Sequence, residues 1–440
     1  MNNEKHDIKK AIDQIDVPHD KLDQSITSAM KAAKTKNKKP RRKIWPSATA
    51  ASFAACMLLG SAFVSPTMAR VLSSVPVLDS VFEFAGDKGL VIASQKGLSN
   101  EVEQTVTDQG ISLTIKDVYY DGTRLSISYI QESPHPKDHL GEFQLKADGQ
   151  VINFSDSRTG KLLTETQFAG VMNIAPVEEL PDSFELSMSL KEVGDVAGSW
   201  DFEVPVTLSD EDVKTIEVNK KLVYQDMKMT VKEMKIGEAG IKLSVSVTSP
   251  DEIDPNMVGD DMLNLNLLND QGFALTQLDV YGSGSIVNGQ HVMNMEYRYE
   301  PLEYASETLT VSPYLVPVNT GQSARIEHSL QSDQLPLTID QGKMGNIIVQ
   351  DLQYDDEKML LYFEVDSDFT YDGHFQFNTL WLEDEKGNNL AITGYPERVE
   401  GNTYVQEFKK VSKGEQLTLV TFEMPYLDVL NELNVKIPLK

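Results

Sequence analysis

Residues Ile44 to Ala69 form a run of 26 residues without one charged side chain. As a helix rising about 1.5 Å per residue, the first 20 of them span about 30 Å, the thickness of a bilayer core. A fold that contains this run must bury it in lipid or in protein. Directly before it, residues 31–43 carry eight basic side chains and no acidic one. Lys38, Lys39, Arg41, Arg42 and Lys43 crowd its entrance, and Lys/Arg beside a span mark the cytoplasmic side. The pattern predicts a single transmembrane helix over 44–66 in the cell membrane. The N-terminus is then cytoplasmic, the long C-terminal region extracellular, and the basic cluster rests on anionic lipid headgroups. A cleaved signal peptide is the competing reading, with Thr67-Met68-Ala69 as its small-residue site. Against it, 43 residues precede the run, where a signal peptide keeps its basic region near the start. A buried core helix is a third reading, suggested by the Ala and Ser content and opposed by the basic flank.

The charge changes sign across this run. Residues 1–43 hold 12 Lys/Arg against 6 Asp/Glu, and the remainder 28 against 61. An acidic outer region excludes nucleic acid as its partner, because phosphate binding needs a basic surface. The single cysteine, Cys56, rules out an intrachain disulfide framework or a cysteine zinc cluster. It reads as a small apolar packing residue, with acylation as the alternative.

The cytoplasmic arm, 1–43, holds two short amphipathic stripes. Ile8, Ile12 and Ile15 recur at helical spacing before Pro18, and Leu22, Ile26 and Met30 recur after it. Helices of about three turns are marginal alone, and so few large apolar side chains cannot build a core. The stripes therefore suit a partner's groove or the membrane surface; a solvated tail that only sets topology is the plainer alternative. Beyond the span, residues 67–105 read as a linker with a short amphipathic helix around Val77 to Phe84 and a second turn around Leu90 to Ala93.

Three stretches outside repeat one pattern: 110–129, 228–247 and 345–365, offset by about 118 residues, each alternating apolar and polar residues on both sides of a turn. Asp121-Gly122 is the strongest hairpin signal, with Gly237 to Gly240 and Asp355 to Glu357 at the equivalent place. Further strands follow in each copy. Phe202 to Val206 close the first and Val435 to Leu439 the third, while the second lacks a clear equivalent. The fold class is mainly β: three tandem antiparallel β-sandwich domains of immunoglobulin-like type at 106–212, 213–335 and 336–440.

The run from Ser65 to Leu90, SPTMARVLSSVPVLDSVFEFAGDKGL, followed by a strand pair, resembles the opening of a poorly characterised domain family in membrane proteins of Gram-positive bacteria. These proteins accompany extracytoplasmic-function (ECF) sigma factors, and some are described as their negative effectors or anti-sigma factors. The resemblance covers residues 20–130 best, and residues 213–330 resemble its companion immunoglobulin-like domain. It implies an ECF-type sigma factor as the partner of the arm. The zinc-binding anti-sigma class uses His-x3-Cys-x2-Cys, whereas the arm has His6 and His19 without cysteine, so sigma contact would be zinc-free.

No G-x-S-x-G elbow, His-Glu-x-x-His helix, P-loop or dinucleotide fingerprint occurs, so no catalytic site, cofactor or metal centre is expected and the chain does not read as an enzyme. His135 and His139 in a Pro-rich loop read as an exposed connector. The acidic loops Asp251, Glu252, Asp254, Asp260, Asp261 and Asp366, Asp368, Asp372 read as solvated, with weak calcium uptake as the alternative. Tyr119, Tyr120 and Trp381 read as exposed residues on strands. The expected function is a membrane-anchored regulator whose arm holds a sigma factor and whose outer domains meet an envelope signal. The alternative is a tethered cell-wall or envelope binding module with no transcriptional role.

Overall fold

The alternation of apolar and polar residues closes three antiparallel hairpins: Ile111–Tyr120 with Leu125–Glu132, Met227–Gly237 with Gly240–Pro250, and Asn346–Tyr354 with Lys358–Asp366. These come from a computed structural model that describes residues 81–440, apart from 85–86, 210–211, 251–253, 255, 303, 319–322, 331–333, 378, 393 and 413. The stripes of the arm, the basic flank, the uncharged run, Asp251 and Glu252 lie outside the described residues. Among the described residues no helix is long and apolar enough to cross a membrane. The chain there is mainly β, with six antiparallel sheets and one α-helix, Lys88–Gln95.

Each hairpin sits in a five-stranded sheet with the same strand order. In the first, Asn100–Asp108 flanks the hairpin on one side, and Gln167–Pro176 then Phe154–Thr164 extend it on the other. Lys214–Tyr224, Gln290–Tyr299 and Gln277–Val287 take these places in the second sheet, and Leu337–Asp340, Thr403–Lys409 and Glu397–Glu400 in the third. The repeat extends to a defect. One extra residue interrupts the leading hairpin strand at Lys116, Lys232 and Gln350, a bulge that increases the local twist.

A second sheet covers the inward face of each. The first unit's cover is Gln150–Val151, Phe143–Ala147, Ser183–Val193 and Val196–Thr207. Leu113, Ile115 and Val118 of the hairpin pack there on Leu186, Met188, Trp200 and Phe202. Trp200, fully buried, donates its ring N–H to the Ile111 carbonyl at 3.0 Å and ties the closing strand to the hairpin. Pro205 sits on this edge strand, where its missing N–H costs no ladder bond. Tyr119 and Tyr120 are buried, not exposed as the alternation suggested, and Trp381 is half-buried. The strand that carries Tyr119 and Tyr120 is covered on both faces near its hairpin turn.

The second and third units exchange their closing strands. Val435–Pro438, read from sequence as closing the third copy, instead pairs antiparallel with Thr308–Pro317 of the second. Arg325–Leu330, which directly follows the second copy, pairs with Leu417–Phe422 of the third. In the first unit Gly194-Asp195 forms a two-residue turn that folds the last strand back on its neighbour. After Pro317 seven residues intervene before Arg325, and the strand that follows pairs in the next sheet. Asp428–Val429 pairs with Thr308–Pro317 as well, so three strands cross the boundary expected at 335/336. Leu430, Leu433, Val435 and Ile437 complete the core around Leu243, Leu265 and Leu309. Each such side chain contributes about 1.5–3 kcal/mol when buried.

This pairing predicts an effect at long sequence distance. Ile437→Ala should destabilise the second unit by about 3 kcal/mol. Hydrogen exchange should then speed up first along Thr308–Pro317, with Leu417–Phe422 keeping its protection.

Candidate functional site

Asp87 opens the only described α-helix, and its carboxylate accepts the Leu90 backbone N–H at 3.1 Å. An anionic cap also suits the positive end of a helix dipole. The same carboxylate takes both ends of the Arg124 guanidinium, Nη2 at 2.6 Å and Nη1 at 3.5 Å. Arg124 stands just after the first hairpin turn and is 3% exposed. Its remaining donors reach Asn173 Oδ1 at 2.9 Å, Ser126 Oγ at 3.1 Å and the Ala239 carbonyl at 3.4 Å. Burial works against its charge, but Asp87 and the hydrogen bonds outweigh that and hold its pKa above the usual value. A buried pair is stable only when its other hydrogen-bonding atoms are satisfied, and that condition is met here.

The turn that presents Arg124 is fixed by Asp121. Its carboxylate accepts from the N–H groups of Thr123 at 2.7 Å and Arg124 at 2.8 Å, and from the Tyr119 hydroxyl at 3.0 Å. The helix adds apolar contacts, with Leu90 and Ala93 packed among Val81, Phe82, Tyr119, Val171 and Ala239. A Cβ on Gly89 would stand 1.9 Å from the Ala239 carbonyl oxygen, so only glycine lets the helix approach the second unit this closely. Lys96 with Glu238 at 2.6 Å closes the other end. Helix, first hairpin and second hairpin turn are therefore locked together by one latch. The stretch read as a helix near Val77 to Phe84 is, in its described part, the 3-10 turn Val81–Phe84, and the turn expected at Leu90 to Ala93 is the centre of the α-helix.

Beside the latch, a cleft of about 390 Å³ opens between the first two units. Arg124 and Arg298 line it, together with Asp121, Glu179, Asp182 and Lys242. Arg298 is 3% exposed. Its guanidinium lies 5.0 Å from the Tyr281 ring, and Nη2 donates to the Ile174 carbonyl at 3.4 Å. Nε and Nη1 are buried and have no hydrogen-bond partner among the described residues. Burial, then the nearby Arg124 charge, pulls its pKa below the usual value.

A second junction joins Glu300 of the second unit to His374 of the third, 3.7 Å apart. Burial pushes the Glu300 carboxyl up to about 7, against the nearby Lys88 ammonium, and burial pulls the His374 imidazole down to about 4. Between these values both groups are mostly neutral, so their contact is not an ion pair. Nearby Asp372 is buried and accepts the backbone N–H groups of His374 at 3.1 Å and Gln376 at 2.8 Å. It belongs to a turn and not to a solvated acidic loop; Asp366 and Asp368 are exposed. His135 and His139 are exposed as well, with His139 3.1 Å from Asp138.

Neither member of the ion pair, Asp87 or Arg124, was singled out from sequence, although the turn at Asp121-Gly122 and the turn at Leu90 to Ala93 were. Asn173 carried a readable signal, a polar side chain inside the apolar strand Gln167–Pro176. Arg298 carried none, since it occupies a position that strand alternation assigns to solvent. The partner-binding stripes Ile8, Ile12, Ile15, Leu22, Ile26 and Met30 and the flank Lys38, Lys39, Arg41, Arg42 and Lys43 lie outside the described residues.

Residues 39–133 match the family model described as Domain of unknown function (DUF4179), and residues 213–340 match Family of unknown function (DUF5643). Asp87 and Arg124 fall in the first match, and Ala239 and Glu300 in the second. Among solved structures, the crystal structure of the conserved domain protein from Bacillus anthracis is similar with a TM-score of 0.45 and 19% identity, covering 59% of this chain and 91% of that one. No curated protein matches the chain.

Two outcomes follow from the geometry. Asp87→Ala leaves Arg124 buried without its counter-charge and should cost about 3–5 kcal/mol in thermal unfolding, with Asp87→Ala/Arg124→Leu recovering part of the loss. At the second junction the pH effects oppose each other. Glu300 holds its proton more tightly folded than unfolded, so its contribution falls as pH rises from about 4.5 to about 7. His374 resists protonation when folded, so its contribution rises with pH from about 4 to 6.5. The Tm of Glu300→Gln should therefore rise with pH across 4–6.5 more steeply than that of the wild type. His374→Gln should show a Tm that falls between pH 4.5 and 7.

Proposed function

We propose that this chain is a membrane-anchored regulator. Its cytoplasmic arm holds an ECF-type sigma factor, one helix crosses the membrane at 44–66, and three outer β-sandwiches of immunoglobulin-like type meet an envelope signal. The observation that carries this reading is the latch. The helix that follows the uncharged run is pinned by a buried charge pair to the first hairpin and against the second, so a change between the outer units bears on the segment that leads to the membrane. A tether that served only as an anchor has no use for a buried, fully hydrogen-bonded ion pair at that point. The resemblance supplies the sigma factor. The spacing of Ile8, Ile12, Ile15 and Leu22, Ile26, Met30 gives the arm two apolar faces suited to its surface.

Replacing one anchor in each face tests this. Two well-packed apolar anchors are worth about 2 kcal/mol each, so Ile12→Asp with Ile26→Asp should weaken binding of the arm's ECF-type sigma factor about a thousandfold. Sigma-dependent transcription should rise in the same cells. Unchanged affinity and unchanged transcription would sink the proposal and leave a tethered envelope module.

A further inference from the structure

Each of the three repeated sheets ends in an edge strand on either side, and most of these edges carry the devices that keep strand edges from pairing. Asn100–Asp108 and Lys214–Tyr224 have charged side chains and a bulge each. Leu337–Asp340 and Glu397–Glu400 are only four residues long. Phe154–Thr164 carries Asp156, Arg158 and Lys161. Gln277–Val287 is the exception. Its bulge lies between Gln277 and Asp279, and from Val280 to Gln290 the chain has no charged side chain, although its net charge is −27.

The outer backbone of this strand is open over a defined stretch. Val287 and Gln290 flank the two-residue turn Asn288-Gly289, whose central φ angles are 53° and 73°. Such a turn makes its flanking residues a hydrogen-bonded pair, and the alternation of an antiparallel ladder then turns the N–H and C=O groups of Gly282, Gly284 and Ile286 away from Gln290–Tyr299. Among the described residues, the first unit touches this strand at its base, where the Ser157 hydroxyl lies 2.7 Å from Asp279 and 3.2 Å from the Tyr281 hydroxyl. Residues 282–287 are all exposed, Ile286 by 63%. Gly284 is not required by the fold: its φ is outside the left-handed region, and a Cβ there would meet Met293 Cε at an ordinary 3.7 Å. A glycine inside a strand often marks the close approach of another backbone.

We propose that this edge pairs with the same edge of a second copy of the chain, antiparallel about a two-fold axis at Gly284. Like charges opposite each other destabilise a strand pair, so an acidic chain pairs with itself best along an uncharged edge. A charged peptide would find no counter-charge on it. Self-pairing sets each Ile286 across from Gly282 of the other copy, beside the Met295 sulfur, which lies 2.7 Å from where a Cβ on that glycine would stand. A large exposed side chain thus meets a position that has none, twice by symmetry. Gly284 faces itself, Asp279 falls beyond the paired stretch, and about six N–H···O bonds form. The two-fold pair closes on itself, and the charged, bulged edge Lys214–Tyr224 opposes growth into a fibre. One strand pair buries less than the roughly 1,200–2,000 Å² of a stable interface, so the pairing is weak and suits copies held in one membrane. Only that setting rests on the regulatory reading.

Sedimentation and hydrogen exchange of the full chain in detergent, over a range of concentrations, test the pairing. A dimer should appear as concentration rises, and the Gly282, Gly284 and Ile286 amides should gain protection with it, while those of Ser283 and Ser285, already bonded within the chain, stay unchanged. Ile286→Lys should weaken association at least about tenfold without altering the melt. Val223→Lys, on the opposite edge where Val223 is 64% exposed, should leave association unchanged. In a Cys56→Ser background, chains with Ser283→Cys mixed with chains with Ser285→Cys should form a disulfide-linked dimer faster than either variant alone, because the two-fold sets 283 opposite 285. A monomer at every concentration, protection of the three amides that does not depend on concentration, a dimer that Ile286→Lys leaves intact, or equal cross-linking of the single variants overturns the proposal. A dimer formed by a chain whose arm binds no sigma factor leaves the pairing standing and removes only its setting.

Discussion

A single buried charge pair, Asp87 with Arg124, fixes how this β-rich region begins. Desolvating both groups is costly, and the structure offsets it by engaging every face of the guanidinium, through Asn173, Ser126 and the Ala239 carbonyl. That satisfaction draws partners from the helix, two neighbouring strands of the first sheet and the second hairpin turn. Moving any one of them strands a charge. The pair thus acts on geometry more than on net stability, because an apolar replacement of both groups could be equally stable yet would not dictate one arrangement.

The exchange of closing strands does for the second and third units what the ion pair does for the first and second. Thr308–Pro317 is completed by Val435–Pro438, and Leu417–Phe422 by Arg325–Leu330. Neither sheet pair has a whole core when the other is removed. The described residues consequently form one compact unit in spite of the threefold repeat. Glu300 and His374 lie where the second and third units touch, and burial shifts their titrations in opposite directions.

Much of the β architecture was legible. Period-two alternation placed the three hairpins, and Asp121-Gly122 marked a turn where Gly122 has a φ of 74°. The exchange was not legible, for a physical reason. Arg325–Leu330 and Val435–Pro438 are both short strands of alternating pattern, and either would satisfy either edge. What decides between them is the long-range pairing itself, which the pattern of a single strand does not encode. The ion pair was not legible: the sequence marked only a turn at Leu90 to Ala93, and nothing local to Asp87 points to an arginine 37 residues later. The buried position of Arg298 follows from how two units meet, which no single strand encodes.

The exchanged strands also impose an order on biosynthesis. While the chain emerges from its N-terminus, the first unit can fold as soon as Thr207 is available. The middle unit must wait with an open edge and an unfilled core until residue 438 has been made, after nearly all of the third. Loss of Val435–Pro438 therefore spoils a domain whose other strands were finished long before, and exposes its apolar core. The middle unit in this sense reports whether the strand at 435–438 has been made.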